Sequence, residues 1–246
     1  MTREEKVLQL KQDFDEVYEA GKQAEYDAFW DAYQNNGNRV KYTYAFSNGW
    51  DNESFKPKYD IIPTDALNMF FNSEMTVDLV ELCERQGVVL DFSKATNVSY
   101  LFGNASASRI GVVDVRSASN NTVGVFYNAK CTTIDKIIIK SDGSNTFHTW
   151  FAYEYNLINV NFEGVIGRSG LNLQWSTKLS KASIESIIDH LDLTEGSPAR
   201  SITLSLTAVN KAFETSEGAN DGADGDEFND LCASARAFGN WTISLV

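Results

Sequence analysis

The middle of the chain repeats a five-residue pattern: an apolar residue, Phe, a variable residue, Asn and a small residue. Successive copies begin about 24 residues apart, and one interval carries an eight-residue insertion. A single repeat cannot bury its own Phe, so this period predicts repeats that stack around one core. The copies are Ala45–Gly49, Met69–Ser73, Leu101–Ala105, Val125–Ala129 and Trp150–Glu154, the last without the Asn.

A second apolar pattern follows the later turns. Each triplet has the spacing L-x-x-L-x-L, which predicts a strand of a stacked parallel sheet, with the triplet pointing inward and the intervening residues pointing outward. We expect each turn Asn to bond the backbone of the adjacent turn. The triplets are Ile110/Val113/Val115, Ile134/Ile137/Ile139 and Leu157/Val160/Phe162, which we align at intervals of 24 and 23 residues.

Helical patterns occupy the insertion and both ends. The insertion VDLVELCERQG (77–87) predicts a short helix, and Ser180 is a candidate N-cap for KASIESIIDHL. Residues 2–34 carry apolar or small residues at heptad spacing, which predicts either a helix packed on its own domain or an oligomerising stem. After residue 200 we expect a strand in SITLSL, helices in TAVNKAF and EFNDLCASARAF, and a strand in NWTISLV.

The expected organisation has three parts. Residues 1–39 form the N-terminal helix, residues 40–165 the repeat solenoid, and residues 166–246 helix-bearing repeats with a C-terminal cap. The fold class is therefore an α/β repeat with a parallel sheet.

Two segments resemble known repeats. FYNAKCTTIDKIII (126–139) resembles the BspA-like leucine-rich repeat, whose coils run F-Y-x-C/A-x-x-L-x-x-I-x-I, and LDFSKATNVSYLFGNA (90–105) resembles a related repeat. The departures are the missing Cys in most coils, the insertion, and the Tyr153-Glu154 copy. The resemblance covers residues 45–165 and implies a leucine-rich-repeat-like solenoid.

The whole chain also resembles repeat proteins encoded by gut bacteria of the clostridial type and by their phages. KQAEYDAFWDAYQNNGNR, NFEGVIGR, LSKASIESIIDHL and NWTISLV carry this similarity. It implies a virion or bacterial-surface setting, including tail-associated structural proteins, and it implies no particular ligand.

Composition narrows the partners. The 246 residues carry a net charge of −13, so nucleic acid and anionic membranes are repelled at long range. No apolar run reaches the length of a membrane span, and the charged N-terminus lacks the apolar core of a secretory signal, so we expect synthesis in the cytoplasm. The three cysteines are far apart and form neither a metal motif nor a disulfide framework.

No catalytic constellation emerges from the residues. The chain has two histidines, His148 and His190, and no phosphate-binding or dinucleotide-binding loop. Asp221, Asp224 and Asp226 do not follow the spacing of a calcium-binding loop, so we expect a solvated acidic loop. We therefore predict no catalytic residues, no metal site and no cofactor.

Non-catalytic binding is the predicted function, with the outward sheet positions as contact surface and a protein or glycan surface ligand as partner. Arg116, Lys136 and Lys140 are expected to form a local basic stripe, and Trp50, Tyr100 or Trp175 offers a ring for stacking on sugars. The alternative is a carbohydrate-active hydrolase on a repeat scaffold. The predicted contact residues are Arg116, Lys136, Ile138, Lys140, Asn159, Asn161 and Glu163.

Overall fold

The computed structural model describes residues 42, 44–52, 55, 57, 60–119, 122–213 and 227–246. Contacts divide the chain between residues 40 and 41, and all described residues lie in the second part. The predicted N-terminal helix over 1–39, with its alternatives of packed helix or stem, lies outside the described residues. The predicted acidic loop around Asp221 also lies outside them.

The described part of the chain is a mixed α/β structure with two parallel sheets, as the repeat pattern predicts. The first sheet has the order β1-β2-β3 and the second the order β4-β5-β6. The boundary expected at residues 165 and 166 falls between the two sheets. The strands are β1 (Arg109–Asp114), β2 (Thr133–Ile138), β3 (Asn159–Glu163), β4 (Asn172–Leu173), β5 (Arg200–Leu204) and β6 (Trp241–Leu245).

The first two helices begin at capping side chains, one of which, Ser180, was predicted. Asp78 caps the first helix by accepting hydrogen bonds from the N–H groups of Val80 and Glu81, and Gly87 ends it with a left-handed backbone. Ser180 caps the second helix through the N–H of Ser183, which confirms that prediction. The helices are α1 (Leu79–Gln86), α2 (Lys181–Asp189), α3 (Leu206–Ala212) and α4 (Glu227–Ala237).

The repeated Phe residues form a continuous column of stacked rings, which confirms the central prediction from the period. Each ring is almost completely buried. Neighbouring ring planes are within 30° of parallel, and their centroids are 5.1 to 5.9 Å apart. One repeat therefore completes the core of the next. The column runs Phe46, Phe70, Phe102, Phe126 and Phe151.

Each of the first four turns is bonded both to itself and to the following repeat. In the turn around Phe102, the N–H groups of Tyr100, Phe102 and Asn104 donate to carbonyl oxygens of the next repeat, each at 2.8 Å. The alternate N–H groups donate three residues back within the turn. The backbone is left-handed at Tyr100 and Asn104. Asn tolerates this conformation better than other residues with a side chain, which explains its recurrence.

The turn asparagines bond to one another, so the expected bond from amide to backbone is wrong. Asn72 Nδ2 donates to Asn48 Oδ1 at 3.1 Å, Asn104 to Asn72 at 2.9 Å, and Asn128 to Asn104 at 2.8 Å. Neighbouring amides complement each other as donor and acceptor, and the backbone already bonds the next repeat. We call these four residues the asparagine ladder.

The strand triplets point inward as predicted, but the third one is shifted. Ile134 pairs with Val160 and Ile137 pairs with Phe162. The predicted alignment placed Leu157 opposite Ile134. Leu157 and Val160 have the same three-residue spacing as Ile134 and Ile137, so the apolar pattern alone favoured the wrong alignment. A bulge adds a smaller irregularity, because β2 holds two residues between its paired positions where β3 holds one.

Candidate binding site on the sheet face

The first sheet places the predicted contact residues on or beside its outward surface. Asn159, Asn161, Glu163 and Arg116 are exposed, and Lys136, Ile138 and Lys140 are half-buried. Glu163 accepts a hydrogen bond from Lys136 Nζ at 2.9 Å. Asn161 Nδ2 donates to the carbonyl of Asp135 at 3.0 Å, across the bulge.

The predicted basic stripe is not what this surface presents. Lys136 pairs with Val112 in the sheet, so it does not occupy the coil position of Arg116. Arg116 forms an ion pair with Asp114 at 2.6 Å, and Lys136 forms one with Glu163. The acids come from the same sheet, which a one-dimensional pattern of basic residues does not reveal. The surface is therefore locally compensated in charge.

Arg109 holds the insertion against the sheet. Its guanidinium forms a two-pronged pair with Asp135, at 2.7 and 2.8 Å, and reaches Asp78 at 3.0 Å. The hydrogen bonds that Arg109 donates to Asp135, and then to Asp78, raise the pKa of Arg109. Asp78 is also the cap of α1, so one arginine connects the helix, β1 and β2.

An apolar pocket opens where α1 replaces a strand. Its volume is about 360 Å³, which lies within the range of small-molecule and side-chain binding sites. Val89 and Val112, at its edge, are 56% and 49% exposed. Val112 belongs to β1 and is paired with Lys136, so the pocket continues into the sheet face. The lining residues are Leu79, Val80, Cys83, Glu84, Val88, Val89, Leu90, Phe92, Ile110, Gly111 and Val112.

The pocket contains a thiol that is poorly suited to nucleophilic chemistry. Burial, with a smaller contribution from the charge of Glu84, raises the pKa of Cys83 to about 11. A thiolate is the reactive form of cysteine, and this shift disfavours it near neutral pH. The pocket is thus equipped for apolar contact.

One buried carboxyl departs from the repeat pattern. Glu154 occupies the small-residue position of the fifth turn and is fully buried. Its Oε1 accepts from the N–H of Asn156 at 2.9 Å, and its Oε2 has no partner among the described residues. Burial raises the pKa of Glu154 to about 8. A raised pKa is typical of a general acid, but this carboxyl has no solvent-exposed surface for meeting a substrate.

We expect Glu154 to make stability depend on pH. Between about pH 4.5 and 8 the native state retains a proton that the unfolded chain has released, so stability is lost as pH rises through this window. Replacing Glu154 by Gln removes the effect. The difference in free energy of unfolding between the variant and the wild type should therefore shift in favour of the variant by about 2 kcal/mol as pH rises from 5 to 7. Urea unfolding at several pH values measures this; a constant difference would contradict it.

The other residues that the sequence analysis considered for binding or catalysis do not come together in one site. Trp50 packs edge-on against Phe46, whereas Tyr100 and Trp175 belong to a surface row of aromatic rings. His148 is exposed, and His190 Nδ1 lies 2.6 Å from the carbonyl oxygen of Ser186. Within the described ranges, no group of three His, Cys, Asp or Glu residues is arranged to hold a metal ion.

Sequence reasoning missed the pocket, because its walls come from the insertion and from a strand two dozen residues later. The inserted helix was the available signal, since a helix in place of a strand leaves the edge of β1 without a strand partner over most of its length. It also missed Arg109, whose partners become adjacent only through the sheet register.

Comparison with known proteins gives no relative: no protein-family profile, no curated protein and no solved structure matches the chain. None of the helices within the described ranges has the length and apolarity needed to cross a bilayer.

Proposed function

We propose that the chain is a non-catalytic recognition or adhesion protein built on a leucine-rich-repeat-like solenoid. The ring column, the bonds from each turn to the next repeat and the parallel sheet support this architecture. The resemblance to clostridial and phage repeat proteins supports a setting on a virion or bacterial surface. Oligomerisation through residues 1–39 stays a prediction.

The proposed ligand is a protein that inserts an apolar side chain into the pocket beside β1 and rests on the sheet face. The observation that carries this proposal is the continuity of the pocket with the face through exposed Val112. Protein interfaces concentrate their binding energy in apolar anchors that fill such pockets, surrounded by polar contacts. The ion pair of Lys136 with Glu163, on the strand that pairs with Val112, supplies polar groups beside the pocket.

A random-peptide library displayed on phage tests this proposal with the full chain as bait. Enriched peptides should carry a large apolar anchor. Val112→Asp should weaken their binding at least about tenfold, because a carboxylate at the pocket edge is desolvated when the anchor enters. Leu193→Asp is the control, since Leu193 is exposed and lies outside both the pocket and the first sheet.

Two results would overturn the proposal. One is the absence of enriched peptides, or enriched peptides that bind the Val112→Asp variant as tightly as the wild type. The other is turnover: release of reducing ends from glycans incubated with the wild type would favour the alternative, a carbohydrate-active hydrolase.

A further inference from the structure

The turns carry a row of surface aromatic rings that is separate from the core column. Neighbouring centroids in this row are 6.2, 5.9, 5.5 and 4.9 Å apart. Tyr153 is exposed and the other four rings are half-buried. Each of five successive turns contributes one ring to the row. We call it the turn strip; it consists of Phe71, Tyr100, Tyr127, Tyr153 and Trp175.

Trp175 belongs to a sixth turn that the sequence pattern did not reveal. The N–H of Ser176 donates to the carbonyl of Leu173, which repeats the bond made around Phe151 by Glu154. Leu173 therefore takes the place of the column Phe, and Trp175 takes the place of the turn Asn.

Two glycines make room for rings in the strip. A Cβ on Gly103 would lie 2.8 Å from the ring of Phe71, and a Cβ on Gly124 would lie 2.6 Å from the ring of Tyr100. Each ring thus rests on the backbone of the following turn. The first three contacts between neighbouring rings are edge-to-face, so these rings do not stack flat on one another. The part of each ring that is not covered by its neighbour or by a glycine faces solvent, most of all at Tyr153.

The asparagine ladder supplies hydrogen-bonding groups on the same turns. Asn72 and Asn104 each use one N–H and one oxygen lone pair within the ladder. A side-chain amide has two N–H donors and two oxygen lone pairs, so Asn72 and Asn104 each retain one N–H donor and one lone pair. Asn48, Asn72 and Asn128 are exposed, and Asn104 is half-buried.

The chemistry of the turns indicates the class of ligand. The strip and the ladder together offer aromatic faces, tyrosine hydroxyls and amides, and none of their residues is Asp, Glu, Lys, Arg or His. The strip and the ladder therefore offer a charged ligand no counter-ion of their own. A ligand with apolar C–H faces and many hydroxyl groups matches these groups, because the C–H faces meet the electron-rich rings while the hydroxyls bond the amides.

We propose that the turn strip binds an uncharged glycan chain laid across successive repeats. The turns follow one another at roughly the strand spacing of 5 Å, a step comparable to one sugar unit of an extended chain. This surface and its ligand differ from the sheet-face pocket and its protein partner, so the two proposals fail or succeed independently.

Affinity electrophoresis of the full chain in gels containing soluble uncharged polysaccharides tests the proposal. The panel is glucomannan, xyloglucan, hydroxyethylcellulose and dextran, with alginate as an anionic comparison. At least one uncharged polymer should retard the wild type, and alginate should not. Calorimetry with oligosaccharides of the retarding polymer should show affinity rising with length and levelling off near five units, the number of rings in the strip.

Variants locate the site. Tyr127→Ala and Trp175→Ala should each weaken binding about tenfold, and Tyr127→Phe should retain most of it. Tyr155→Ala and Val112→Asp are controls, because Tyr155 is exposed outside the strip and Val112 lies on the sheet face. Circular dichroism excludes unfolding as the cause.

The proposal is overturned if no uncharged polymer retards the chain or if only alginate does. It is also overturned if both strip variants bind as tightly as the wild type, or if Tyr155→Ala weakens binding as much as they do. Binding of a proline-rich peptide that the strip variants abolish, without any glycan binding, would assign the strip to peptides instead.

Discussion

Replacing Arg200 by Met should lower the free energy of unfolding by about 3–5 kcal/mol, because it leaves a partly buried carboxylate and several carbonyls without their donor. Arg200 is 6% exposed. Its Nη1 donates to Asp192 Oδ2 at 2.5 Å, and its Nη2 donates to the carbonyls of Asp192 and Gly239 at 2.9 and 2.6 Å. Its guanidinium also lies 4.6 Å from the ring centre of Trp241.

The arginine therefore joins β5, the loop after α2 and the approach to β6. Partial burial acts to raise the pKa of Asp192, but hydrogen bonds from Thr194 and Arg200 outweigh it and hold the pKa below its usual value. The carboxylate stays ionised and remains a strong acceptor. Removing the arginine removes that stabilisation.

Urea unfolding followed by circular dichroism measures the effect. Arg168→Met is the matched control, because Arg168 is exposed and its loss should change the free energy of unfolding by less than about 0.5 kcal/mol. Arg200→Lys keeps the charge but not the planar guanidinium, so its free energy of unfolding should lie between those of the Arg200→Met and Arg168→Met variants. Equal unfolding midpoints for the Arg200→Met and Arg168→Met variants would contradict the assignment.

The second large effect is expected in the ring column. Phe102→Ala should cost about 3–5 kcal/mol, because it opens a cavity that the surrounding repeats fill only in part. The ring is fully buried. Its centre lies 5.1 Å from that of Phe70 and 5.9 Å from those of Phe92 and Phe126.

Phe238→Ala provides the comparison, because it removes the same atoms from an exposed site. Its unfolding midpoint should stay close to that of the wild type. Phe102→Leu should cost less than Phe102→Ala, since it keeps most of the buried volume. If Phe102→Ala were as mild as Phe238→Ala, the column would not be a principal source of stability.

Local and periodic features of the fold were predictable from the sequence. The column follows from Phe residues repeated at a nearly fixed interval, and α2 follows from its cap at Ser180 and its apolar face. The register of β3 was not predictable, because Leu157 and Val160 have the same spacing as Ile134 and Ile137, whereas the strands pair Ile134 with Val160. Arg200 was missed because its partners come from a region without any repeat.

In the candidate sites, too, the positions of single residues were predictable, whereas the contacts between them were not. Sequence pattern placed Lys136 and Asn161 beside the outward sheet face, but their partners depend on a register that no pattern of residues specified. Tyr100 and Trp175 were recognised singly as rings for sugar stacking. Their alignment with Tyr127 and Tyr153 required the stacking of turns, and the sixth turn lacks both Phe and Asn.

The hydrogen bonds that link one turn to the next have a consequence for how repeats can be added to the chain or removed from it. Each of the first four turns donates forward from the same three positions, and the following turn accepts at the intervening ones, so neighbouring units meet through equivalent edges. We expect excision or duplication of one complete unit to preserve this pairing, whereas a partial insertion has to form an element of its own, as α1 does beside β1. The number of repeats therefore sets the length of the core and the length of the outer surface together.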